Sequence, residues 1–149
     1  MTDVAAIYDD LVRFETILWG AVDARLRRDC DLRLTWFEIM QLLHRNPGAR
    51  TQDIADEFSI TVGGVSKVID RMVDADYCRR SPNPADGRSA LISLTAEGIR
   101  KLEIAHPVFE EELEKRFRSV LGPAELARLA IALKLLRVSA QHRDEVGNE

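Results

Sequence analysis

The sequence predicts a mainly α-helical fold with one small β-hairpin, and three observations carry that reading. Apolar residues recur roughly every three or four positions along most of the 149 residues, the signature of helices with one buried face. Two short runs, residues 77–81 and 89–94, have strand character instead. The residues between them (Pro82, Asn83, Pro84, Ala85, Asp86 and Gly87) fix turns and exclude helix. Finally, 46% of positions are apolar, enough for the core of one domain, yet no stretch approaches the roughly 18 uninterrupted apolar residues of a membrane span. The predicted order is four helices, two strands and two further helices, with no internal repeat.

The first helix covers about residues 5–28, where Ile7, Leu11, Phe14, Leu18, Ala21 and Val22 form one stripe. The second opens at residues 34–38. Thr35 is placed to cap it, and Glu38 to reach back to the Thr35 amide. It runs through Ile39, Met40, Leu42 and Leu43 and stops before the turn signal Asn46, Pro47, Gly48. Thr51 is expected to cap a short third helix through Ile54, Ala55 and Phe58. A break at Ser59, Ile60 and Thr61 leads to a fourth, with Val65, Val68, Ile69 and Met72 inward. In the second strand Ala90, Ile92 and Leu94 share a face. Thr95 caps a long helix interrupted near His106 and Pro107, because proline removes an amide donor and clashes one turn back. Gly122 and Pro123 end it and start a last helix through Leu126, Leu129, Leu133, Leu136 and Val138.

The net charge of −4 and a pI near 5.5 exclude a polybasic tail or a uniformly basic nucleic-acid binder. The middle of the chain is the least acidic part, with seven basic and seven acidic groups over residues 44–90. Within it Arg79, Arg80 and Arg88 face only Asp86, so a polyanion would approach there. Cys30 and Cys78 are too few for a disulfide framework and are expected to be unreactive structural thiols. The N-terminus lacks a secretory layout, so a cytoplasmic protein is expected.

Residues 51–72 have the layout of a helix-turn-helix. Ile54, Ala55, Phe58, Val65 and Val68 point inward, Ala55 allows a close crossing, and Ile60 plugs the turn. The outward face of the second helix is then Gly63, Gly64, Ser66, Lys67, Asp70 and Arg71, the face that enters a DNA major groove in such motifs. Two accounts of the glycines stay open. Absent side chains let the helix N-terminus approach a phosphate or base edge, or the helix start is simply loosely packed. In the hairpin, Asp86 and Arg88 are two apart. In an extended segment the carboxylate would hold the guanidinium and aim it off the tip, where a narrow minor groove suits it. The alternative is an ordinary surface ion pair.

Asp86, Gly87 and Arg88, the strand at residues 89–93, and Leu94, Thr95, Ala96, Glu97 and Gly98 resemble the wing and following helix start of MarR-type transcription regulators. The similarity extends back through residues 51–72 and covers the whole chain in helix order and length. The resemblance implies one winged helix-turn-helix domain over residues 1–149. Residues 34–98 would form the DNA-binding part, and residues 1–30 and 99–149 a helical dimerisation part. It implies a homodimer on a pseudo-palindromic operator, acting as a repressor, with Arg88 as the wing arginine and Asp86 as its orienting carboxylate. Ser59 and Asp76 depart from the glycines common at the turn and at the end of the recognition helix, and aspartate tolerates the left-handed conformation better than most residues.

Ile7, Leu11, Phe14 and Leu18, with Leu126, Leu129, Leu133 and Leu136, are the interface candidates. The last helix is also apolar at Ala127, Ala130, Ile131, Ala132 and Leu135, wider than one buried stripe needs. The family often responds to small aromatic or phenolic compounds, and Trp19, Trp36, Phe37, Met40 and His44 could line such an effector pocket, although such residues are more often plain core. His44, His106 and His142 lack metal-ligand spacing, no phosphate loop or nucleophilic triad is present, and Glu110, Glu111 and Glu112 read as a solvated face. No catalytic residue, metal or cofactor is therefore expected. The competing function is a winged helix used for protein contacts without DNA binding.

Overall fold

The computed structural model describes the backbone of residues 1–146 and the side chains of residues 1–141. The chain divides into two compact units, Met1–Glu110 and the helical segment from Glu111 onward. The elements are α1 (Val4–Cys30), α2 (Leu34–Arg45), β1 (Ala49–Arg50), α3 (Thr51–Phe58), α4 (Val62–Asp74), β2 (Cys78–Pro82), β3 (Ala90–Leu94), α5 (Ala96–Arg118) and α6 (Pro123–Val146). The fold is mainly α with a small antiparallel sheet, as expected, but the sheet has three strands in the order β1-β3-β2. β1 was not foreseen. Its two residues pair with Leu91 and Ile92 and are too few to carry a periodic pattern.

Asp3 caps α1 by accepting from the Ala5 and Ala6 amides, and Asp31 ends it in the left-handed conformation. Only the C-terminal half of α1 is buried, at Val22, Asp23, Leu26 and Cys30. The start of α2 differs from expectation. Thr35 lies inside the helix, and the Leu34 amide donates instead to the buried Asp23 carboxylate of α1 at 2.9 Å. Leu34 is itself buried, which draws the helix start one residue earlier and against α1. Likewise Thr51 is the first residue of α3 rather than its cap, and the Asp53 carboxylate accepts from the Arg50 amide at 2.8 Å.

α5 runs unbroken through Pro107. Pro107 and Glu103, whose carbonyl loses its partner, are both exposed, so water can take the place of the missing amide. Thr95 does cap α5, accepting from the Gly98 amide at 3.0 Å. The core of the first unit is built from Leu26, Leu32, Phe37, Met40, Ile54, Val65, Ile69, Met72 and Ile92. Phe109 of α5 stacks on Phe37 with ring centroids 4.7 Å apart. In the second unit Glu112 is buried and pairs with Arg116 at 2.8 Å, so it does not share the solvated face of Glu110 and Glu111.

Candidate nucleic-acid interface

α3 and α4 form the helix-turn-helix, with Ile54, Ala55 and Val65 buried between them and Phe58 and Val68 half-buried. Ser59 takes the left-handed conformation at φ 52° and Asp76 does the same at φ 63°, so both residues carry the backbone that glycine would have made easier. Ile60 does not plug the turn. It is 41% exposed and lies beside Gly64 at the start of α4.

The two glycines have different reasons. A Cβ on Gly64 would stand 3.1 Å from the Thr61 hydroxyl oxygen and 3.2 Å from Ile60, so a side chain there would push both neighbours aside by a few tenths of an ångström behind the cap. A Cβ on Gly63 would meet nothing within 4 Å. Gly63 therefore serves no contact within this chain. Gly63, Lys67, Asp70 and Arg71 are exposed along α4, while Gly64 and Ser66 are half-buried.

The wing tip is built by side-chain-to-backbone bonds. Asn83 Oδ1 accepts from the Ala85 amide and Asn83 Nδ2 donates to the Ser89 hydroxyl, both at 3.0 Å. The Asp86 carboxylate accepts from the Arg88 amide at 3.0 Å and makes no ion pair with the Arg88 guanidinium. The expected extended geometry is thus corrected. The segment turns at Pro84, Ala85, Gly87 and Arg88, so Asp86 shapes the loop backbone and leaves the guanidinium to extend outward. Arg88 is exposed.

One cleft of about 420 Å³ joins these parts, lined by Arg50 of β1, by Val62 and Ser66 of α4 and by Asp86, Arg88 and Ser89 from the wing. Arg50 is held there by Asp53, with its guanidinium at 2.8 Å from the carboxylate, and that bond keeps the Asp53 carboxyl below the usual range. Arg80 of β2 contacts α4, with Nη2 2.7 Å from the Asp70 carboxylate. Sequence reasoning saw Arg80 only as part of a basic run and gave Arg50 no role. The available signal was strand alternation, which puts Arg80 on the same face of β2 as the buried Cys78. Among the described residues Lys67, Arg71 and Arg88 make no ion pair, so three cations stand unneutralised on the faces of α4 and the wing.

The five effector candidates do not share a cleft. Phe37 and Met40 are fully buried in the core, and Trp19 is exposed on α1. Trp36 packs edge-on to Tyr77 beside a cleft of about 390 Å³ that Arg33 also lines. His44 lines a different cleft of about 250 Å³ with Arg79 and Leu94. The side chain of His142 lies outside the described residues, among which no three His, Cys, Asp or Glu side chains cluster to hold a metal ion. No helix among them is long and apolar enough to cross a membrane. Both cysteines are buried, and burial raises each thiol, Cys78 to about 11.

The family model for the MarR family matches residues 32–90, from the start of α2 to the start of β3. Over those residues the chain is similar to the MarR family. The multiple antibiotic resistance protein MarR of Escherichia coli is 32% identical over 76 residues, which is 51% of this chain and 53% of that protein. The chain thus spans about half the length of that relative. The HTH-type transcriptional regulator MhqR of Bacillus subtilis is 26% identical over 110 residues, 74% of this chain and 75% of that one. Among solved structures, AbsC, a MarR family transcriptional regulator from Streptomyces coelicolor, superposes with a TM-score of 0.83 at 23% identity, covering 95% of this chain and 97% of its own. Sco3205 of the same organism, a MarR family regulator solved in complex with DNA, does so at 0.81 and 20% identity, covering 95% and 93%. These likenesses establish the winged-helix fold.

Proposed function

We propose that this chain is a MarR-type, sequence-specific double-stranded DNA-binding transcription regulator that works as a homodimer. The single observation that carries the proposal is the cleft joining the start of α4 to the wing, lined by Arg88, with Lys67 and Arg71 exposed farther along α4 and all three without an ion pair among the described residues. In this reading Ser66, Lys67 and Arg71 face the major groove, and Gly63 leaves room for a phosphate at the amide end of α4. Arg88 reaches the flanking minor groove, where the potential is most negative. The solved complex of Sco3205 with DNA supports the same assignment by likeness of fold.

A net charge of −4 opposes DNA, so two copies must act together. Support for a second copy comes from the residues that a single chain leaves uncovered. Ile7 and Leu11 on α1 are 50% and 42% exposed, and Ile131, Leu135 and Leu136 on α6 are 62–67% exposed. Residues 1–30 and 99–149 are assigned to that interface and residues 34–98 to DNA. The test is selection of bound duplexes from a random pool, followed by titration across salt. The expected result is a two-fold-repeated site with half-sites about 34 Å apart and affinity falling steeply with salt. A protein that binds no duplex at low salt is instead a winged helix for protein contacts.

A further inference from the structure

The side of α4 that presents Lys67 and Arg71 also presents a carboxylate, Asp70. A bare carboxylate there would repel the phosphates that the two cations attract. It is not bare. Arg80 reaches over from β2, with Nη2 2.7 Å from Asp70 Oδ1, and donates from the same nitrogen to the Ser66 carbonyl at 3.4 Å. Ser66 and Asp70 are about one helical turn apart, so a single guanidinium from the wing strand spans a turn of the recognition helix. Its position is set by the sheet. Arg80 pairs in register with the fully buried Ile92, and the same face of β2 places the Cys78 thiol against the Ile69 carbonyl.

We propose that Arg80 is a positioning residue that masks Asp70. It cancels the Asp70 charge that stands between Lys67 and Arg71, leaving Asp74 at the far end of α4, and ties the wing to that helix, so that Lys67, Arg71 and Arg88 meet DNA as one surface. The inference rests on the DNA-binding reading above. The side chains of Arg80 and Asp70 are 35% and 62% exposed, so their attraction adds little to folding and its effect falls on binding.

The experiment is a double-mutant cycle on the full chain with Arg80→Gln, Asp70→Asn and the pair. The probe is a duplex that the parent protein recovers from a random pool. Glutamine keeps much of the packing of the arginine stem. Affinity is measured across a salt series, and thermal unfolding checks that all four proteins are folded. R80Q weakens binding about tenfold, and adding D70N to R80Q restores most of that loss. D70N gains far less in the parent background, and the salt slope of the double variant matches that of the parent.

Three results overturn the proposal. R80Q binds as the parent does; D70N tightens binding equally in both backgrounds; or the double variant stays as weak as R80Q with a slope shallower by about two per dimer, the mark of Arg80 touching phosphate itself. A parent protein that binds no duplex has a different signature, because then the DNA-binding reading itself fails.

Discussion

Ser59 closes the turn between α3 and α4 at φ 52°, ψ 41°, a conformation whose Cβ crowds the following carbonyl. Ser59→Gly is expected to raise stability by up to about 1 kcal/mol in urea unfolding, because glycine meets no such crowding. Gly98 is the opposite case. A Cβ there would stand 2.0 Å from the Tyr77 carbonyl oxygen, so β2 and α5 can approach only with glycine. Gly98→Ala is expected to cost about 2–4 kcal/mol in the same measurement, by forcing backbone against backbone. Cys78 shows how burial sets chemistry. Its thiol stands near 11 against an ordinary 9.0, so the folded state keeps the proton that the unfolded state gives up. The contribution to stability is full below pH 9.0 and declines as pH rises toward about 11. Native protein should resist alkylation at neutral pH, with labelling appearing only as the chain unfolds. Rapid labelling of the folded protein would contradict this.

Among the elements, α2 depends on a cap that its own sequence lacks. Asp23 of α1 accepts from the Leu34 amide and pairs with Arg27 at 2.7 Å, so removing it strands a buried donor. Asp23→Ala is expected to destabilise the protein by about 1–3 kcal/mol, with Asp23→Asn recovering part because it keeps an acceptor. Urea titration of the two variants decides it. In the proposed DNA-binding reading the wing acts through Arg88, whose loop is held by Asn83 and Asp86 without engaging the guanidinium. Arg88→Ala should weaken DNA binding broadly, and most where the flanking sequence is A·T-rich. Equal affinity of parent and variant across flanks would remove the wing assignment.

For the whole molecule, the proposed dimer rests on the exposed apolar residues of α1 and α6. Leu11→Glu should leave the folded chain intact, because Leu11 is exposed, yet shift sedimentation toward the monomer and weaken DNA binding with it. A dimer unchanged by that substitution would place the interface elsewhere. The helix-turn-helix, the hairpin and the capped start of α5 were legible because their signals are local: apolar spacing, the turn residues from Pro82 to Gly87, and Thr95 three residues before Gly98. The interruption expected at Pro107 failed because exposure, which decides whether a freed carbonyl is hydrated, is not a local property. Trp36, Phe37, Met40 and His44 shared helical spacing on α2, yet with Trp19 of α1 they scattered between core and surface, since spacing along one helix does not say what packs against it.

By itself the sequence determined the order of the helices and the hairpin, but neither β1 nor the unbroken course of α5, and it marked Gly63, Lys67, Asp70 and Arg71 as exposed on α4. Folding alone decided where the charges go. Asp23 caps a helix eleven residues on, Arg80 covers Asp70, and Asp86 holds a backbone amide rather than its neighbour's guanidinium. The physical reason is range. Periodicity is written in neighbours along the chain, whereas a hydrogen bond or ion pair forms between whatever groups the packed core brings within about 3 Å.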